Sequence, residues 1–237
     1  MSVFLNAVLP IKSLNDAYLE WSKLPLLKRK IEISESENDV KYQTSFANLL
    51  DEKNVVADKE GGYFLHSESA VFSVSLSDAT VKFFIECKTD EVVQDLIKGL
   101  FNIPVKHVFA AQLQEREHQN RIIVKKKYGT HETWVGRDLT KYLPGVYWLN
   151  LVPKSLLEQH GIDAQSIDSI STVFKKVGDD KYLFQLYPNS IDWMEHAKSI
   201  DAWRLKTPGV FFKKSAETAL EAASNFLEAS KATGEWK

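Results

Sequence analysis

A chain of 237 residues suits one large domain or two small ones, and it can bury most of its apolar surface without disulfide or metal staples. Its hydrophobic share of 44% and charged share of 26% are those of an ordinary globular protein, while 30 Lys and Arg against 32 Asp and Glu leave a net charge of −2. That balance argues against a dedicated nucleic-acid binder, and the single cysteine, Cys87, excludes an internal disulfide.

The N-terminal MSVFLNAVLPIKS is apolar but has neither the basic region nor the cleavage site of a signal peptide, so it reads as part of the fold. No stretch approaches the roughly 18 apolar residues of a membrane span. The expectation is therefore a soluble cytoplasmic protein. Ser13 opens a helical pattern with Asp16 three residues on, and Leu14, Ala17, Tyr18 and Trp21 share one face. Pro25 limits it. Within the charged run that follows, Ile31-Glu32-Ile33 suits a short strand, and residues 47–62 read as an irregular excursion.

AVFSVSL (70–76) and TVKFFIEC (80–87), parted by Ser77, Asp78 and Ala79, predict an antiparallel hairpin. Thr89 then caps a helix whose stripe is Val92, Val93, Leu96, Ile97 and Leu100, with Asp90 and Glu91 at its positive end. HVFAAQL (107–113) and RIIVKKKYG (121–129) are strand candidates, and the EREHQN between them reads as a solvated polar loop. HETWVGRD (131–138) reads as loop too, with Asp138 able to cap a turn at LTKYL.

KYLPGVYWLNLVPKSLLEQHGI (141–162) sets Tyr142, Tyr147 and Trp148 around a Pro-Gly turn, and its VYWLNLV is a buried strand or extended segment. A helix over 154–160 follows Pro153 and is closed by Gly161. STVFKKVGDDKYLFQLY predicts a second hairpin turning at Gly178-Asp179-Asp180. Asn189 or Ser190 caps a helix through Ile200 with Ile191, Met194 and Ala197 inward. PGVFFKK (208–214) is a short strand or connector, and Ser215 opens a last helix with Ala216, Leu220, Ala223 and Leu227 on one face. The predicted class is α+β. It is a mainly antiparallel sheet built from two hairpins, with helices on one face and at both chain ends. No Pro/Gly/Ser-rich linker interrupts it, so a single domain over 1–237 is expected, its 1–62 part being helix and loop.

The search for chemistry finds little. Glu115 and His118 form E-x-x-H, a spacing used by carboxylate-bridged metal sites, but no second such pair accompanies it. Glu132 and Asp138 flank Trp134 and Arg137, as acid–base pairs on a sugar can, yet such acids are ordinary loop content. Serine-nucleophile and phosphate-loop motifs are absent, and Cys87 suits a buried, inert thiol. The basic clusters 28–30, 125–127 and 213–214 suit solvated faces. Of the six tryptophans, all but Trp236 occupy predicted core positions. Tyr147 and Trp148 read first as core anchors of the Pro-Gly turn and second as a binding surface.

Over about residues 65–214 the chain resembles the immunity proteins of bacterial type VI secretion and related polymorphic-toxin systems. The resemblance rests on Pro144-Gly145-x-x-Trp148, the following Ser155-Leu156-Leu157-Glu158-Gln159-His160-Gly161, the strand YLFQLYP (182–188) and the closing DAWRLKTPGVFFKK (201–214). In this sequence Trp148 is followed by LNLVP, where that family has a Thr-Phe-Leu-Gly-like run. The resemblance implies neutralisation of a cognate protein toxin by occlusion, with no catalytic residue, metal or cofactor. The partner-binding candidates are Glu115, Glu117, His118, Glu132, Trp134, Arg137 and Asp138, in the segments 115–119 and 132–138. The alternatives are a hydrolase or metal-dependent enzyme using the same acid and His cluster, and a structural component of a phage or secretion apparatus.

Overall fold

In β1 (Val3–Pro10) the side chains of Val3, Leu5, Ala7 and Leu9 are buried and those between them half-buried, the two-residue period of a strand with one face in a core. The computed structural model describes residues 2–27, 31–34, 42–45, 48–49, 62–127 and 129–236. The expected excursion over 47–62 and the basic run 28–30 lie almost wholly outside the described residues.

After β1 come α1 (Leu14–Ser22), β2 (Ile31–Ser34), β3 (Tyr42–Thr44), β4 (Tyr63–His66), β5 (Ala70–Leu76), β6 (Thr80–Cys87), α2 (Asp90–Gly99) and β7 (His107–Gln112). Then follow α3 (Leu113–Asn120), β8 (Arg121–Lys126), β9 (Gly129–Trp134), β10 (Leu149–Pro153), α4 (Lys154–Gln159) and α5 (Ala164–Asp168). The chain closes with β11 (Val173–Val177), β12 (Lys181–Gln185), α6 (Trp193–Lys206), α7 (Lys213–Ala222) and α8 (Phe226–Trp236). The fold is α+β. Among the described residues ten strands form one sheet in the order β11-β12-β10-β7-β1-β6-β5-β4-β2-β3, and β8 and β9 form a separate ribbon. From β1 to β3 the neighbours pair antiparallel. Both predicted hairpins, β5–β6 and β11–β12, are present, but they are four strands of ten.

The chain resolves into two compact units. The first comprises Met1–Ala111, Asn150–Pro153 and Lys175–Leu183. Its core is aromatic. Trp21 sits edge-on to Phe83 at 5.0 Å between ring centres, and its indole N–H donates to the Leu96 carbonyl at 3.0 Å. The hydroxyls of Tyr18 and Tyr63 share a short hydrogen bond. Gly99 ends α2 against Trp21, where a Cβ would come within 2.9 Å of the indole. α1 buries Ala17, Tyr18 and Trp21, as its spacing predicts, although the Ser13 hydroxyl makes no capping bond. In α2 the Thr89 hydroxyl accepts from the Val92 N–H at 3.5 Å.

The second unit comprises Gln112–Leu149, Lys154–Phe174 and Phe184–Lys237. Here sequence expectations need more correction. EREHQN is helix α3, not a solvated loop, and Glu115, Gln119 and Asn120 are buried in it. HETW belongs to β9. The Asn189 cap is present as a reciprocal capping box with Asp192, yet Ile191 and Met194 face outward, Met194 with 70% of its surface exposed. The inward positions are Ser190, Ile200 and Arg204. The final helix breaks in two after Ala222, because Asn225 accepts from the Glu228 N–H at 3.0 Å while Glu228 accepts from the Ser224 N–H at 2.8 Å. That cap restarts the helix and turns Leu227 outward. Trp236 packs against the cluster of Ile122, Val135, Tyr142, Phe211, Ala216 and Leu220, whereas Trp134, Trp193 and Trp203, expected in the core, are only half-buried; Trp21 and Trp148 alone of the six are fully buried.

Candidate binding face on the second unit

The Pro144-Gly145 turn is held by the C-terminal end of α3. Gln119 Nε2 donates to the Val146 carbonyl at 2.7 Å, and Asn120 Nδ2 donates to the carbonyls of Pro144 at 3.0 Å and Val135 at 3.1 Å. The Tyr147 hydroxyl returns a bond to Asn120 Oδ1 at 2.6 Å. A Cβ at Gly145 would run into Gln119 Oε1, so any side chain there displaces that amide. Trp148 is fully buried beside this turn. The stretch is a core device: two amide side chains supply the backbone of a non-repetitive segment with the partners that a sheet would otherwise give.

Arg204 performs a similar task from α6. It is 2% exposed, and its guanidinium donates to the Phe211 carbonyl through Nη2 at 2.6 Å and Nε at 3.2 Å. Nη1 reaches Asp201 at 3.3 Å. Asp201 also faces His118, whose Nε2 lies 2.8 Å from Oδ2. Burial pushes the Asp201 carboxyl up, but the His118 ring and the Arg204 charge outweigh it and hold the group below its ordinary range.

Glu115 is 2% exposed, and its carboxyl is raised to about 8. Burial is the cause; the Tyr187 hydroxyl, the Trp148 peptide N–H and the Arg204 charge only partly offset it. The group is therefore mostly protonated at neutral pH. Glu115 and His118 do share one helix, but they turn to different partners. Among the described residues no three His, Cys, Asp or Glu side chains gather where they could hold a metal. His107 is buried beside Phe109 in β7, and burial lowers its imidazole to about 4. Cys87 is buried and its thiol is pushed up to about 12, again by burial first.

The surface side of this unit is the β8–β9 ribbon. Its register sets Arg121 opposite Trp134, Ile123 opposite Glu132 and Lys125 opposite Thr130, all on one face. The alternate residues Ile122 and Thr133 are buried, so the Arg121–Ile123–Lys125 face is the solvent side. Ile123 is 52% exposed there. From α3, Glu117 reaches Arg121 Nη1 at 2.6 Å, and Glu132 meets Arg121 Nη2 at 2.8 Å. Arg116 lies over the Trp134 ring at 4.8 Å, and Arg137 is near enough to add to the burial that depresses the Arg116 guanidinium against the pull of Tyr147.

The seven candidates therefore separate. Glu117, Glu132 and Trp134 come together through Arg121 and Arg116, with exposed Arg137 nearby. Glu115 is turned inward and is no surface contact, and His118 faces Asp201 on α6. Asp138 serves a local turn: its carboxylate accepts from the Thr140 N–H at 2.9 Å and from the Thr140 hydroxyl. The residues that sequence reasoning missed are Arg116, Arg121 and Ile123. No family model matches the chain, and no curated protein and no solved structure matches it either. Among the described residues no helix is long and apolar enough to cross a membrane.

Proposed function

We propose that this protein binds a cognate protein toxin in the cytoplasm and neutralises it by occlusion, using the solvent face of the β8–β9 ribbon and the adjoining turn of α3. The observation that carries the reading is how the polar side chains are used. Those an enzyme would need are already engaged within the protein: buried Glu115 by Tyr187 and Trp148, and half-exposed His118 by Asp201. The outward face instead sets a half-exposed isoleucine and an Arg-covered tryptophan among charged groups. Aromatic and Arg anchors ringed by polar groups are the usual anatomy of a protein interface. The resemblance of residues 65–214 to toxin-immunity proteins supplies the kind of partner. An interface of ordinary size, about 1,600 Å² in total, would extend from this face onto its surroundings.

Purification of the tagged protein from its host, with identification of what accompanies it, tests the reading. A stoichiometric protein whose toxicity is abolished by co-expression is the expected result. Absence of any such protein, with no loss of protection on deletion, overturns it. One observation favours an acid–base enzyme as the second reading, namely the carboxyl of Glu115 raised to about 8 beside Tyr187. That reading requires Glu115→Gln to abolish an activity, whereas toxin neutralisation is indifferent to it.

A further inference from the structure

We infer that the partner of the β8–β9 ribbon presents an acidic protein surface, an inference that rests on the ribbon being the contact face. The two carboxylates on the face, Glu117 and Glu132, both pair with one side chain, Arg121, at 2.6 and 2.8 Å, and its single charge offsets one of the two. Asp138 at its margin is engaged by Thr140 and lies 3.8 Å from Lys141. Lys125 on the face, Lys127 at the ribbon's tip and Arg137 beyond β9 are exposed. None of these three makes an ion pair with a described residue. Over the face and its margin the cations Arg116, Arg121, Lys125, Lys127, Arg137 and Lys141 outnumber the carboxylates Glu117, Glu132 and Asp138 by six to three. A chain with a net charge of −2 shows here a locally basic rim around Ile123 and Trp134.

Two features favour an acidic protein over a nucleic acid. The Trp134 ring is covered by Arg116, so it offers no open platform for stacking a base. The face centres on Ile123, an apolar anchor that a protein surface can bury. A basic occluding face also selects among toxins. It complements an active site built from carboxylates and repels the basic cleft of an enzyme that acts on nucleic acid.

Oligo-glutamate and a single-stranded DNA oligomer of equal charge, titrated into the full-length protein at low salt and followed by backbone amide shifts, test the inference. The expected result is oligo-glutamate binding centred on 121–134. It should weaken by roughly tenfold or more in the triple variant K125E/K127E/R137E and stay unchanged in the control K175E/K176E on β11. Raising the salt should weaken it too. Tighter binding of the DNA through the same residues overturns the inference, as does binding of neither polymer or loss of binding in the control alone. Host purification with the triple variant separates this inference from the one beneath it. A toxin still captured and neutralised by the variant leaves the immunity reading standing and removes the acidic partner. Oligo-glutamate binding at the ribbon with no toxin in the host does the reverse.

Discussion

The two units are held together in different ways. In the first, strands with a two-residue alternation press Phe72 and Phe83 onto Trp21 and Tyr18, and side-chain polar atoms play a small part. In the second, long polar side chains bond to backbone that belongs to no sheet: Gln119 and Asn120 to the Pro-Gly turn, Arg204 to Phe211. The two cores therefore respond differently to substitution. An apolar core tolerates replacement by anything of similar shape, since its attraction is non-directional. A core whose peptide groups depend on one guanidinium or one amide does not, because removing the donor leaves a buried acceptor without a partner.

Arg204→Met keeps much of the volume and loses every donor, so it should destabilise by about 3–5 kcal/mol, the range for breaking a buried charged group's partnerships. Trp21→Phe removes one donor only and keeps an aromatic in an apolar site, so it should cost only about 1.5 kcal/mol. Urea unfolding with unchanged m-values measures both. A larger loss for Trp21→Phe than for Arg204→Met would invert the argument.

Glu115 sharpens it through pH. Its folded carboxyl is raised to about 8 against an ordinary 4.5, so the folded state holds a proton that the unfolded state gives up. The contribution to stability is fully present below about pH 4.5 and is lost as pH rises toward 8, with a slope of up to about 1.4 kcal/mol per pH unit. Glu115→Gln keeps an acceptor for the Trp148 N–H and cannot ionise. Its stability relative to the parent should therefore climb across that window, and parallel pH profiles for the two proteins would contradict the assignment.

Gly145→Ala is next, at about 1–3 kcal/mol, because the new methyl must displace Gln119 Oε1 and with it the amide bond to Val146. In a Gln119→Ala background the same change should cost little more. That non-additivity, read from a double-mutant cycle, distinguishes this clash from a general intolerance of side chains in the turn.

What was legible in the sequence follows the same division. The β5–β6 hairpin, the Thr89-capped α2, the Gly161 end of α4 and the burial of Tyr147 and Trp148 all have local signatures, whether alternation, caps or apolar runs. β1 escaped detection as a strand because its half-buried positions include Phe4 and Val8, which hide the alternation. α3 escaped because its buried residues are polar; their partners at Val146, Pro144 and Trp148 lie 24 to 33 positions away by residue number. The break before α8 did have a signal, Asn225 with Glu228 three residues on. The binding face was half legible. Glu117, Glu132 and Trp134 were found as loop residues, but only the ribbon register puts them beside Arg121 and Ile123.

The smallest expected effect on stability lies on that ribbon and tests its two faces against each other. Ile122 and Ile123 are adjacent, alike in volume and in strand preference, and differ only in where the pleat points them. Ile122 is buried against the α7–α8 cluster, and Ile122→Ser should cost about 2–5 kcal/mol. Ile123→Ser, half in water already, should move stability by no more than about 0.5 kcal/mol. The consequence of Ile123→Ser belongs to the partner: capture of the bound protein should fall while the melting curve stays in place. If the melting curve falls and capture does not, Ile123 is a packing residue and the face it centres is not the one that binds.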